Sequence, residues 1–417
     1  MKICIANGRL VDPRSGIEGD RDVYIEGGKI VAIGSAPAGF QANRVIDASG
    51  FTVAPGLVDL SARLREPGFE YKATLESEMA AAVAGGVTSL ACPPDTDPPL
   101  DEPGLVAMLK HRARSLGGAR LYPVGALTMG LRGERVTEMA ELRDAGCIAF
   151  SQAHVPLSDV NVMLRALQYA ATFGFRVWLH PLEATLAKGG VAHDGEVATR
   201  LGLPGIPVCA ETVALSTILL LAKETEAHLH LSCISSREAV AMLHEARARG
   251  IRFTCDTTIN HLHLSEMDLG LFDSHGHLTP PLRAREDRDA LAAALARDEL
   301  DCVCSDHTPM DEDAKQLPFA QSEPGASGLE LLLPTTLRWA QEKKVPLRQA
   351  LAKITVNPAR VMGIDAGHLS VGRPADICIF DPERAWTVTA LALRSQGKNT
   401  PFLEWKLRGQ VRYTLVE

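Results

Sequence analysis

The sequence predicts an α/β protein: a closed (β/α)8 TIM-like barrel carrying a small composite β-sandwich domain built from both chain ends. Three observations predict it. Eight short apolar runs alternate with helical patterns through the middle of the chain. Both ends are rich in short strands and turns instead. No glycine-rich phosphate loop follows the first apolar run, which disfavours a doubly wound sheet.

The first end opens with Ile3-Cys-Ile-Ala6 and Asn7-Gly8, a strand and a turn. Asp22–Glu26 and Lys29–Ile33 flank Gly27-Gly28 as a hairpin, and Arg44–Asp47 is a further strand. The same style returns in Ala375–Phe380, Trp386–Thr389 and Val411–Leu415. Chain termini often lie close together. Residues 1–52 and 365–417 are therefore expected to share one β-domain beside a barrel of residues 53–364.

Val53-Ala-Pro-Gly-Leu-Val-Asp-Leu60 is the expected first barrel strand, ending in the polar Ser61-Ala-Arg63. The next strands are expected at Val87–Cys92, Leu121–Ala126, Cys147–Phe150 and Arg176–Leu179. His228–Leu231, Arg252–Cys255 and Cys302–Ser305 complete the eight. Helical periodicity marks Thr74–Ala84, Ser158–Phe173, Glu211–Thr225, Ser236–Arg249 and Arg285–Arg297.

With 46% hydrophobic and 23% charged residues, the 417-residue chain has room for a large core. A net charge of -8 argues against nucleic acid or an anionic membrane as partner. Nine cysteines without a CxxC pair suit a reduced, cytoplasmic protein better than a disulfide scaffold. Met1–Gly8 is interrupted too soon for a signal peptide, and no apolar run is long enough to span a bilayer.

In such a barrel the residues just past each strand converge on one pocket. Here they are Ser61 and Arg63, Gln152 and His154, His180, Ser232 and Cys233, then Asp306 and His307. His180, Cys233 and Asp306 are candidate metal ligands, with His154 nearby as a replacement. Each also has an ordinary reading: a hydrogen-bonded histidine, a buried thiol, a capping or paired carboxylate. His261-Leu-His263 and the nearby His275 and His277 suit a strand or loop as well as a metal, and are read as structural.

Several stretches together resemble dihydroorotase. They are Pro55-Gly-Leu-Val-Asp, Leu64-Arg-Glu-Pro-Gly68, Ala84-Gly-Gly-Val-Thr88, Gly202-Leu-Pro-Gly-Ile-Pro207 and Pro280-Pro-Leu-Arg283. Ser305-Asp-His307, Glu323-Pro-Gly325, Gly328-Leu-Glu330 and Asn357-Pro-Ala359 continue the likeness. Gly367-His-Leu-Ser-Val-Gly372 resembles the C-terminal β-domain of the wider amidohydrolase superfamily. The resemblance implies a zinc site that lowers the pKa of a bound water for attack on a ring amide. It places two histidines at the first strand, a carboxylate at the fourth, histidines at the fifth and sixth, and an aspartate at the eighth. Carried onto this chain, His180 and Asp306 are kept, Asp306 being the family's general base. Ser61, Arg63, Gln152 and Cys233 stand at lost ligand positions. Arg63 puts a cation where a dication belongs.

The family's substrate-reading arginine is kept as Arg65, whereas Asp95, Thr279 and Met310 replace other recognition residues. Asp95 would repel an anionic substrate. The Cys92-Pro-Pro94 loop, Arg373-Pro-Ala-Asp376 and Gly397-Lys-Asn-Thr-Pro-Phe402 through Val416 narrow the likeness. They resemble the non-catalytic, dihydroorotase-like chain of bacterial aspartate carbamoyltransferase. Three readings follow. The first is a pseudo-dihydroorotase of pyrimidine biosynthesis without cofactor, partnering the transcarbamoylase catalytic chain as a homodimer or higher oligomer. The second is an active amidohydrolase with one zinc held by His180, Cys233 and Asp306. The third is a binding module that uses Arg65 for a small anion, unless Arg65 pairs with Glu66 or another carboxylate. The first expects Arg63 to enter the vacated space and pair with Asp306.

Overall fold

A computed structural model describes residues 1–417. Parallel strands run at Leu57–Asp59, Val87–Cys92, Arg120–Ala126, Ala149–Ser151, Arg176–Leu179, His228–Leu231, Phe253–Thr258 and Cys302–Cys304. These eight neighbour one another in sequence order. The ring closes where Ala62 bridges His307. There the Arg63 N–H donates to the His307 carbonyl at 2.8 Å, and the His307 N–H donates to the Ser61 carbonyl at 3.0 Å.

Period-two alternation sorts the strand side chains. Leu57, Leu90, Val177, Leu179, Leu229, Leu231 and Val303 pack outward with the helices. Val58, Ala91, Val124, Trp178, Cys302 and Cys304 form a separate cluster inside the ring. The surrounding helices start where the chain supplies caps. Thr74 and Ser77 make a reciprocal capping box before Leu75–Ala84. Asp159 accepts two N–H bonds at the head of Val160–Phe173, which Gly174 ends at φ 67°.

Both chain ends build the second core. One sheet orders Lys29–Ile33, Val23–Glu26, Lys2–Ala6 and Arg44–Asp47. The other orders Lys406–Leu415, Ile377–Thr387, Thr52–Pro55, Arg9–Asp12 and Ile17–Asp20. Ile5, Leu10, Val23, Ile30, Val53, Ile377 and Ile379 pack between them.

Three local expectations change. The run Val53–Leu60 is two strands, not one. Thr52–Pro55 pairs antiparallel with Ile377–Phe380, so the division expected after residue 52 falls inside this strand. The chain then crosses to the barrel strand Leu57–Asp59 at Gly56, where an added Cβ would lie 2.2 Å from the Thr88 hydroxyl. Trp386 continues the long strand Ile377–Thr387, whose register shifts between Asp381 and Ala385. Pro382 in that gap has no N–H for the ladder.

His261 and His263 stand on neither strand nor loop but on one helical turn, Ile259–His263, capped by the Thr258 hydroxyl. The turn's side chains are entirely committed to the fold. His261 Nε2 lies 3.2 Å from the Pro281 carbonyl, and His263 Nε2 lies 2.9 Å from the Thr335 carbonyl. Burial pushes both imidazoles down to about 4, and His277 likewise. A free imidazole titrates near 6.5, so at pH 5 the ring NMR signals of these three are expected at neutral-form positions. Charged-form shifts there would contradict this packing. The unfolded chain takes up those protons first, so this trio withdraws stability as pH falls from about 6.5 toward 4. No helix is long and apolar enough to cross a membrane.

Candidate functional site

The strand ends converge as the topology requires, and their centre is a guanidinium. Arg63 leaves the first barrel strand and is 6% exposed. Its Nε donates to Asp95 Oδ2 at 2.7 Å. Its Nη1 donates to Asp306 Oδ1 at 3.0 Å and to the Thr308 hydroxyl at 3.1 Å. Ser61 Oγ donates to the same Asp306 oxygen at 3.1 Å. Burial acts to lower the Arg63 pKa, but the charges of Asp95 and Asp306 outweigh it and hold the group cationic. Asp95 responds in kind: burial acts upward, and Arg63 brings its carboxyl below the ordinary range. Asp306 stays raised, because burial exceeds the opposing pull of Arg63.

Asp95 is thus the counter-ion of Arg63, a pairing that the sequence alone did not reveal. Thr308 is a second partner that went unnoticed. The only sequence signal for either was a new cation on the first strand, which needs acceptors when buried.

The metal candidates assemble differently from expectation. His154 Nε2, Cys233 Sγ and an Asp306 oxygen lie within 4.8 Å of one another. His180 does not join this cluster. Its Nδ1 lies 3.2 Å from the Ser232 carbonyl, and its ring packs on His154 at 4.9 Å, so His154 presents the imidazole in its place. Burial pushes both rings down to about 3, leaving them neutral. Cys233 sits at φ 58°. The hydrogen bond with Cys304 acts downward on its thiol, but burial dominates the remainder and the pKa stands at about 12. Cys304 was absent from the sequence-based candidates.

These residues do not fit the family's zinc centre. Where the resemblance implies a bridging carboxylate, Gln152 offers a neutral amide, and both its ends are already used. Its Oε1 accepts from the Thr128 hydroxyl at 3.0 Å, and its Nε2 donates to the Leu131 carbonyl at 2.8 Å. The Asp306 oxygen that would face a metal faces a guanidinium instead. The cavity bounded by Ser61, Arg63, His154 and Cys233 has a volume of about 30 Å³. That is room for no more than a few water molecules, against roughly 300 Å³ or more for a small-molecule site.

Arg65 is likewise engaged by the protein itself. It is 7% exposed, donates to the Pro309 carbonyl at 2.8 Å and reaches Met310 Sδ at 3.3 Å. Burial pushes its pKa down to about 10. The alternative pairing of Arg65 with Glu66 does not form, because Glu66 pairs with Arg112 at 2.7 Å and accepts the Leu75 N–H at 2.8 Å.

The chain has known relatives along its whole length. Residues 50–239 match the family model described as dihydro-orotase-like, and residues 331–417 match an amidohydrolase family model. A "dihydroorotase-like protein" of Pseudomonas aeruginosa is 45% identical over 417 residues, covering 100% of this chain and 98% of that relative. A protein of Syntrophotalea carbinolica named "dihydroorotase" is 42% identical with the same coverage. In structure, an L-hydantoinase (dihydropyrimidinase) of Arthrobacter aurescens superposes with TM-score 0.89 at 24% identity, over 99% of this chain and 94% of that one. The dihydropyrimidinase of Brevibacillus agri gives TM-score 0.85 at 23% identity, over 100% and 94%. At these identities the two structures speak for the fold, a barrel with an attached β-domain. The full-length relatives establish the family: the chain belongs to the dihydroorotase-like amidohydrolases.

Proposed function

We propose that this chain is a catalytically degenerate dihydroorotase homologue, acting in pyrimidine biosynthesis as a structural partner of the aspartate carbamoyltransferase catalytic chain. One observation carries the loss of catalysis. Arg63, held between Asp95 and Asp306, fills the pocket where the family places its metal and substrate, leaving about 30 Å³. A ring amide has no room there, and the family's general base is bound in an ion pair. The fold survives because fold and site are separable. The partnership is supported by the likeness of the Cys92-Pro-Pro loop and the 397–416 run to the non-catalytic chains of that assembly.

The test has two arms. The chain is expected to copurify with the transcarbamoylase catalytic chain at a fixed ratio, and to open no dihydroorotate ring when zinc is added. Separate elution of the two chains would remove the partnership, and measurable turnover would remove the degeneracy.

A second reading has one observation in its favour. The donors of His154, Cys233 and Asp306 are close enough to hold a single zinc ion. Near-stoichiometric zinc after chelator-free purification would support it, and trace zinc would dismiss it.

A further inference from the structure

The opposite end of the barrel holds a cavity that the family reading leaves unused. Three adjacent strands enter the ring there. The register pairs Arg176 with His228 and Trp178 with His230. It carries on to the next strand, setting His230 beside Thr254 and hence His228 beside Arg252. Side chains two apart share a face, so Arg176, His228 and Arg252 form a row at the rim, one layer below Trp178 and His230. Arg360, from the helix Val356–Met362, completes the lining. This half-open cleft has a volume of about 310 Å³.

The charges in this cavity are poorly matched. Arg252 meets Glu226 at 3.5 Å, and both are mostly exposed. Arg360 meets Asp301 at 3.6 Å. The Arg176 guanidinium has neither ion pair nor hydrogen bond, although burial, aided by Arg143, draws its pKa down. Trp178 Nε1 is a buried donor without an acceptor. Buried donors ordinarily find partners. The half-buried Arg176 guanidinium stands without a counter-ion in a cavity lined by two further arginines, so what is missing is an acceptor that carries negative charge. Guanidinium forks match the oxygens of phosphate bidentately, and Trp178 adds an apolar wall.

We propose that this cavity at the N-terminal face of the barrel binds a small phosphate-bearing ligand, clamped by Arg176, Arg252 and Arg360. It lies apart from the barrel mouth, behind the Trp178–His230 layer, whose rings stand 5.5 Å apart. The proposal stands whether or not the mouth is catalytically dead.

Titration of the full chain with pyrophosphate, followed by tryptophan fluorescence, tests it. A saturable change is expected, lost in Trp178→Phe. Arg176→Ala is expected to weaken binding ~10-fold or more, the effect of losing one charge-assisted contact. Arg252→Ala with Arg360→Ala, both at exposed positions, should weaken it too while leaving thermal unfolding unchanged, so a folding defect in Arg176→Ala would not hide the answer. Tighter binding of pyrophosphate than of inorganic phosphate assigns a polyphosphate ligand, and equal binding assigns a single phosphate group. No saturable signal at millimolar pyrophosphate, or equal affinity in the wild type and the Arg252/Arg360 double variant, would overturn the proposal.

Discussion

Arg63→Met is expected to destabilise the chain by about 3–5 kcal/mol, the range for breaking a buried ion pair by removing one partner. The Arg63 side chain is 7% exposed and its partners Asp306 and Asp95 are 10% and 26% exposed. Methionine keeps most of the volume and removes the charge. Both carboxylates then lose their only guanidinium ligand, and Asp306, already raised by burial, has little left to keep it ionised. Removing the charges together should cost less. Urea unfolding of Arg63→Met, Asp306→Asn and the double variant would show a coupling of at least ~1 kcal/mol, since the two groups are in direct contact. A loss below about 1 kcal/mol for Arg63→Met would mean that the pair behaves like a solvated surface bridge.

The second large effect is expected at the barrel seam. Glu78 projects from the helix Leu75–Ala84, and its Oε2 lies 2.6 Å from His307 Nε2, both side chains being 0% exposed. His307 Nδ1 accepts the Gly328 N–H at 3.1 Å, which leaves the ring proton on Nε2, directed at Glu78. The other carboxylate oxygen accepts from the Gln396 N–H at 2.9 Å and from Ser77 Oγ at 2.7 Å. The residue so held is the one whose backbone closes the ring against Ser61 and Arg63. Glu78→Ala strands all of these donors and should cost about 3–5 kcal/mol, with faster amide exchange at Arg63 and His307. Glu78→Gln keeps an acceptor and should cost less, about 1–3 kcal/mol. Burial acts upward on Glu78, but the His307 contact and the other hydrogen bonds bring its pKa below the usual value. Its contribution is therefore present above the unfolded carboxyl pKa of about 4.3 and is lost as pH falls through the lower folded value. The gap between wild type and Glu78→Ala should narrow in acid. A gap that stays constant to pH 3 would contradict the assignment.

Much of this architecture was legible before the structure. Short apolar runs alternating with helical patterns marked all eight strands, because parallel strands buried on both faces leave few alternatives. Local pattern could not show that Pro55-Gly56 carries the chain between two sheets, since Val53 and Val58 are equally apolar. Nor could it show that His261 and His263 share a helical turn, because five residues hold too little periodicity. At the site, sequence order indicated which positions differ from the ligand set that the resemblance implies. What filled them depended on contacts across 32 and 243 residues, from Arg63 to Asp95 and to Asp306. The preference for His154 over His180 depends on which ring faces Cys233, and the cationic row at the far rim depends on strand register. Both are properties of the closed ring.

The proposed loss of chemistry at the barrel mouth is tested most directly by dihydroorotate ring opening, measured with purified chain under saturating zinc. Ser61→His with Arg63→His serves as a companion variant that restores the first-strand pair. No turnover above the uncatalysed rate is expected from the wild type, and none from the variant, since Gln152 and Cys233 remain. Zinc-dependent turnover by the wild type in the ordinary enzyme range of about 1–1000 per second would contradict the account.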